Sequence, residues 1–379
     1  MSSSQKLQVL VVEDDDETLK QLCRDIPSTF EQDGLTAELH PCSSFDDAAN
    51  RLVSPVLRYD LVISDTYRGD AKSGVVGADA IVTAYRGKKF CPLVIYSSGV
   101  KPSSIVEGPF VRWADKSLKG DIEKSIKAIL DSGIPQLSRK LHDEIDGSAS
   151  DYLWGFLESR WEELNTPESI DPAVLERIVR RRAAIQISDL DPQGKSSPLT
   201  QRAGAEYYVY PPLTQSHLSL GDVLRSKSDS SALSVVLTPH CYLFNQAGQE
   251  KPRADFVLLA SAVKAEAVLG DKLSNAKKLN DEAKRLRKLS LWSRSPADSG
   301  GKPKGRHWYL PAFLDIPHSF CDLMQVTSVP IDSALNDYES IATLAPPYAE
   351  ALQSCFGSFY SSVGIPEVSG ESIGSLLTS

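Results

Sequence analysis

The chain has 379 residues, 41% hydrophobic and 24% charged, with a net charge of −9. That length predicts two domains or three, and the balance excludes a disordered or fibrous polymer. No apolar run reaches the roughly 18–20 residues that cross a bilayer, and the opening MSSSQKLQVL lacks a signal-peptide pattern; with six scattered cysteines and no CxxC pair, this predicts a cytoplasmic protein with no membrane partner.

Residues 7–13 read as a buried strand, and LQVLVVED ends on Glu13 and Asp14. Residues 16–32 read as a helix with Leu19, Leu22, Cys23 and Ile26 on one face. A second strand is expected over 35–41, a second helix over 44–54 and a third strand over 60–64. That third strand lies in YDLVISD, an apolar run that stops on Asp65. A helix is expected over 78–85, a fourth strand in PLVIYS (92–97), a fifth in FVRWA (110–114) and a helix over 119–131. Strands alternating with helices predict a parallel, doubly wound sheet, whose functional groups gather at the carboxyl ends of its strands. Glu13, Asp14, Asp65, Ser97 and Lys116 fall at those ends. Several carboxylates at one edge are costly without a cation among them. A plainer role for Asp14–Asp16 is to start the first helix.

VVED, a strand ending in Asp, a strand ending in Ser and a Lys after the fifth strand together resemble the receiver domain of two-component response regulators, over about residues 5–132. The resemblance implies a flavodoxin-like five-stranded sheet and a phosphoprotein of signal transduction. Asp65 would accept a phosphoryl group from a partner histidine kinase, with Lys116 and Ser97 binding its oxygens. Mg²⁺ would be held by Glu13, Asp14, Asp65 and the Tyr67 backbone carbonyl, and Ser97 and Trp113 would form the switch. Enzymatic chemistry would be limited to self-phosphorylation and dephosphorylation at Asp65. Ser117 stands where the family has proline. The loop TYRGDAKSGVVGAD after the acceptor is long and glycine-rich, and the segment between Ser97 and Lys116 is short, which predicts a stunted fourth helix.

Residues 133–198 read as a helical connector, with a break expected at Gly147 and an apolar stripe of Leu153, Phe156, Leu157 and Trp161. A further helix is expected over 170–185, with Pro172 in its first turn and Arg180–Arg182 near its end. These helices suit a homodimer contact, a lever, or simple intramolecular packing.

Residues 199–379 read as an α+β output domain with a small β-barrel. Strands are expected in YYVYPPL, LGDVLRS, ALSVVLTPHCYLF, ADFVLLASAV, HWYLPAF and MQVTSVPID, with helices over 273–290 and around 346–362. GDVL before VVLTP resembles, over about 30 residues, the small barrels of the PemK/MazF toxin family; no catalytic residue carries over. From Lys264 to Arg306 there are twelve Lys/Arg against five Asp/Glu. Lys284, Arg285, Arg287 and Lys288 in this stretch form a candidate nucleic-acid patch. His240, Cys241, His318 and Cys321 offer four soft metal ligands. No helix-turn-helix pattern is evident. Three functions follow: a response regulator whose output module meets a partner protein, a receiver-gated nucleic-acid-binding or RNase-like effector, and a degenerate receiver used as a scaffold.

Overall fold

The computed structural model describes residues 6–54, 56–66, 90–98, 101, 105–164, 172–189, 204–212, 216–244, 252–294 and 305–361. The chain divides into two compact units, Met1–Ser197 and Pro198–Ser379. No described helix is long and apolar enough to cross a membrane.

The first unit holds five strands: β1 (Lys6–Val12), β2 (Thr36–Cys42), β3 (Leu61–Ser64), β4 (Leu93–Ser97) and β5 (Val111–Asp115). All neighbours pair in parallel in the order β2-β1-β3-β4-β5. This is the strand order of the flavodoxin-like doubly wound fold. Parallel strands are covered on both faces, so β1 is apolar at almost every position. Leu7, Val9 and Val11 pack with helices α1 (Asp16–Gln32) and α3 (Asp121–Leu130), while Leu10 and Val12 pack with α2 (Phe45–Val53) on the opposite face. Leu19, Leu22 and Ile26 of α1 are buried as the 3.6 period requires, with Cys23 beside them. The helix expected over 78–85 lies outside the described residues.

Two features of the connector differ from expectation. The chain stays helical through Gly147 in α4 (Ile134–Tyr152), and the irregularity is a π-helical turn at Leu153–Leu157, followed by α5 (Glu158–Leu164). A glycine weakens a helix by only about 1 kcal/mol, which neighbouring turns absorb. Of the expected apolar stripe, Leu157 is buried, while Leu153, Phe156 and Trp161 are exposed. Helix α6 (Pro172–Asp189) packs against α4. Arg139 of α4 reaches Asp60 (3.4 Å) and Asp146 pairs with Arg58 (2.9 Å), so α4 lies along the amino edge of the parallel sheet.

The second unit is a curled half-barrel of seven antiparallel strands in the order β10-β11-β9-β8-β7-β12-β6. The strands are β6 (Tyr208–Val209), β7 (Asp222–Ser226), β8 (Leu233–Val236), β9 (Phe256–Lys264), β10 (His307–Leu310), β11 (Ser319–Pro330) and β12 (Tyr338–Leu344). The order ends at β10 and β6, so the expected barrel is open. Register shifts within β11, between Asp322 and Val326, and within β12, between Ser340 and Ala342, bend the sheet. Gly221 opens β7 at φ +84°, and a Cβ there would lie 2.7 Å from that of Ala349. The helix expected over 273–290 is two: Asp271–Lys277 and Glu282–Arg294, interrupted at 278–281 by the turn that Asp281 caps.

Candidate functional site

β1 and β3 are neighbours, and the chain leaves β1 for β2 on one side and β3 for β4 on the other. Their carboxyl ends therefore form the topological switch point of the sheet, where such folds place their chemistry. Glu13 follows β1, its N–H bonded to the Cys42 carbonyl at 3.1 Å. Asp65 follows β3, its N–H bonded to the Val12 carbonyl at 2.9 Å. These continuations of the ladder fix both backbones at the edge.

The acids after β1 divide their tasks. Asp15 is the N-cap of α1, its carboxylate accepting the Thr18 N–H at 2.8 Å, and Asp16 and Glu17 fill the first turn. Glu13 and Asp14 are left facing the edge. Carboxylate oxygens of Glu13, Asp14 and Asp65 lie within 4.8 Å of one another.

Lys116 follows β5, and its N–H bonds to the Ser97 carbonyl at 3.1 Å. Its Nζ donates to Glu13 Oε2 at 2.6 Å and to Asp65 Oδ2 at 2.7 Å. Asp65 Oδ1 accepts the Thr66 N–H at 2.5 Å. The loop after Lys116 is held by Asp115, which accepts the Ser117 N–H at 2.8 Å. Burial pushes the Glu13 carboxyl above its ordinary range, against the pull of Lys116. Burial also opposes the charge on Lys116, but hydrogen bonds and charge from Asp65 and Glu13 outweigh it and raise its pKa. The cation is held firmly between two acids.

The structure thus brings Glu13, Asp14, Asp65 and Lys116 together. Ser97 is buried at the end of β4, opposite Asp115 in the β4–β5 register, on the same edge. Trp113 is half-buried against the cluster of Leu10, Val12 and Phe45. Tyr67 lies outside the described residues. Tyr96 is an addition: the Lys116 ammonium sits 5.6 Å from its ring centroid. Its position next to Ser97 was the available signal.

In the second unit Lys284, Arg287 and Lys288 are exposed and Arg285 half-buried on the helix Glu282–Arg294. His240 packs on Phe244, with centroids 4.2 Å apart, and His318 Nδ1 lies 2.6 Å from the Tyr309 hydroxyl. Among the described residues Glu13, Asp14 and Asp65 are the group placed to hold a metal ion, and the four soft ligands do not converge.

No protein-family model matches the chain, and no curated protein matches it. Among solved structures it is similar to the response regulator TrrA from Thermotoga maritima in complex with Mg²⁺-BeF, at 19% identity over 32% of this chain and 98% of that one, TM-score 0.26. It is also similar to a CheY-like receiver domain from Methylobacillus flagellatus, at 20% identity over 34% and 98%, TM-score 0.24. A third is the receiver domain of the histidine kinase CKI1 from Arabidopsis thaliana, complexed with Mg²⁺ and BeF₃⁻, at 17% identity over 33% and 90%, TM-score 0.24. The fold of the N-terminal unit is read from its own strand order.

Proposed function

We propose that the N-terminal unit is a phosphoryl-accepting receiver of a two-component phosphorelay. Residues 1–132 are the input, 133–198 the connector and 199–379 an output module without a helix-turn-helix, directed at a partner protein in the cytoplasm. The observation that supports this most is the Lys116 ammonium spanning Glu13 and Asp65 at 2.6 and 2.7 Å on the switch-point edge.

An Asp65 carboxylate oxygen attacks the phosphorus of a histidine kinase's phosphohistidine. The P–N bond breaks and its electron pair leaves with the imidazole, giving an acyl phosphate. Such transfer needs positioning and charge neutralisation more than covalent help. Lys116 orients Asp65 before attack and pairs with a phosphoryl oxygen afterwards. The Ser97 hydroxyl moves toward the phosphoryl group and donates to a second oxygen, and Trp113 on β5 swings inward with it. Three carboxylates, one of them buried, suit a hard divalent cation. Glu13, Asp14 and Asp65 would hold Mg²⁺, which when bound neutralises the charge gathering on the phosphoryl oxygens.

The test is incubation with acetyl phosphate and Mg²⁺ followed by a phosphate-affinity gel. The wild type should give a retarded band and Asp65→Asn none. A wild type without a retarded band ends the proposal.

A second reading rests on the exposed Lys284, Arg287 and Lys288 of one helix, which suit a phosphate backbone and a receiver-gated nucleic-acid effector. Its mark is RNA or DNA binding that weakens steeply with salt. Neutralising Lys284, Arg285, Arg287 and Lys288 should abolish that binding and leave the Asp65 band unchanged.

A further inference from the structure

A cavity of about 710 Å³ lies at the amino edge of the parallel sheet, lined from the strand ends and from α4. That is the size of a small-molecule site. It is remote from the acceptor edge: Asp60 precedes β3 and Asp65 follows it, so the two acids stand at opposite ends of one strand. Part of its wall is apolar and aromatic. Val56 is 83% exposed and Phe90 49%, and Leu57 and Tyr59 line the cavity with them. Both rings are braced by neighbours, Phe90 edge-on to Phe110 with centroids 5.3 Å apart and Tyr59 edge-on to His40 at 5.4 Å.

Asp60 lines the same cavity, and its side chain is only 5% exposed. Its Oδ2 accepts the Gln8 N–H at 2.7 Å and the Arg139 guanidinium at 3.4 Å. Its Oδ1 has no hydrogen-bond partner among the described residues. The Arg139 contact is long for an ion pair, which closes to about 2.7–2.9 Å when well made. Arg139 is also divided, its Nε lying 3.5 Å from Asp143. Arg58 is taken by Asp146, at 2.9 and 3.4 Å. Burial pushes the Asp60 carboxyl above its ordinary range, against the pull of Gln8 and Arg139. A buried carboxylate is costly until a cation and a full set of donors satisfy it. Asp60 has one oxygen still to be satisfied, on the wall of a cavity.

We propose that this cavity binds a small organic amine, its ammonium donating to Asp60 Oδ1 and its apolar body lying against Val56, Leu57 and Phe90. The charge of the ligand follows from the lining. An anion would meet the buried carboxylate, and the two guanidiniums that could receive it are engaged by Asp60, Asp143 and Asp146. A neutral alcohol could donate to Oδ1 but would leave its charge unmatched. An ammonium both donates and neutralises, and the Tyr59 and Phe90 rings favour a cation beside them. The proposal does not depend on phosphorylation of Asp65 and is tested without it.

Isothermal titration of the full chain at about pH 8, where carboxylates are ionised and amines protonated, compares 2-phenylethylamine, 2-phenylethanol and 3-phenylpropionate, three probes with one ring and three head charges. The amine should bind one to one and about tenfold or more tighter than the alcohol, and the carboxylate should bind weakest. Asp60→Asn should weaken the amine about tenfold and bring it level with the alcohol. Phe90→Ala should weaken amine and alcohol alike, by about threefold to tenfold. Phe90 is half exposed, so that variant keeps its fold, which circular dichroism checks, and it decides the matter with the probe series if Asp60→Asn does not fold. No binding of the amine up to about 10 mM, equal binding of all three probes, tightest binding of the carboxylate, or amine binding unchanged in Phe90→Ala or in folded Asp60→Asn overturns the proposal.

Discussion

Acids are partnered differently at the switch-point edge of the parallel sheet and in the half-barrel. In the parallel unit Glu13 and Asp65 share one ammonium and crowd against Asp14. In the half-barrel each buried acid has its own partners. Asp322 accepts two bonds from Arg306, at 2.7 and 2.5 Å, and one from the Met324 N–H at the bulge of β11. Asp222 accepts the Thr343 hydroxyl at 2.6 Å and the Ser219 N–H at 2.7 Å beside the turn at Gly221. Carboxylates that share one cation carry more charge than it neutralises. A carboxylate with a full set of local donors holds a bend in place. The residue type is the same, and the sharing of partners separates the two settings.

Substitutions can break this contrast. The largest effect is expected at Asp65, where Asn should remove phosphoryl incorporation completely yet leave the melting temperature level or higher, since one of three crowded charges is gone. A strongly destabilised Asp65→Asn would move Asp65 into the structural class. Asp322→Ala should do the opposite, costing about 3 kcal/mol in urea unfolding of the C-terminal unit by stranding the Arg306 guanidinium, with the Asp65 band intact. Gly221→Ala should cost about 2 kcal/mol, from a positive φ and the contact with Ala349.

The pH dependence sharpens the same point. Burial pushes Asp222 up from 3.8 to about 6. Its folded pKa lies above the unfolded one, so its contribution is full below pH 3.8 and is lost as pH rises through about 6. The C-terminal unit should therefore be more stable near pH 5 than near pH 8, by on the order of 1–2 kcal/mol. Asp222→Asn should flatten that slope in a thermal-melt series.

The parallel unit was the more legible half. Its strands are short apolar runs that end on charge, and each end is a local anomaly in the sequence. The described elements fall within two residues of expectation because pattern and topology agree there. Asp15 shows the limit, since only the Thr18 contact separates the capping acid from its neighbours. In the half-barrel β12 has no clear strand pattern in its sequence. Its sequence YESIATL mixes polar and small residues, and it is a strand because β7 and β6 pair with it on both sides. The basic stretch is two helices although its charge pattern runs on through 278–281, because Asp281 caps a new helix there. Tyr96 is marked in the sequence only by its place beside Ser97, because its proximity to Lys116 arises when β4 and β5 lie side by side.

The two hydrogen bonds donated by the Lys116 ammonium define a charge sum for the edge. Three carboxylates and one ammonium leave two negative charges, the complement of one divalent ion. Under the proposed phosphorylation, an acyl phosphate at Asp65 would add about one more negative charge, more than a divalent ion and the ammonium together would neutralise. Two of the three Lys116 protons are committed to Glu13 and Asp65, which leaves one for the arriving group. Replacing Lys116 with Met therefore pulls ion binding and phosphoryl transfer apart: the edge attracts the cation more strongly and holds the phosphoryl group less well.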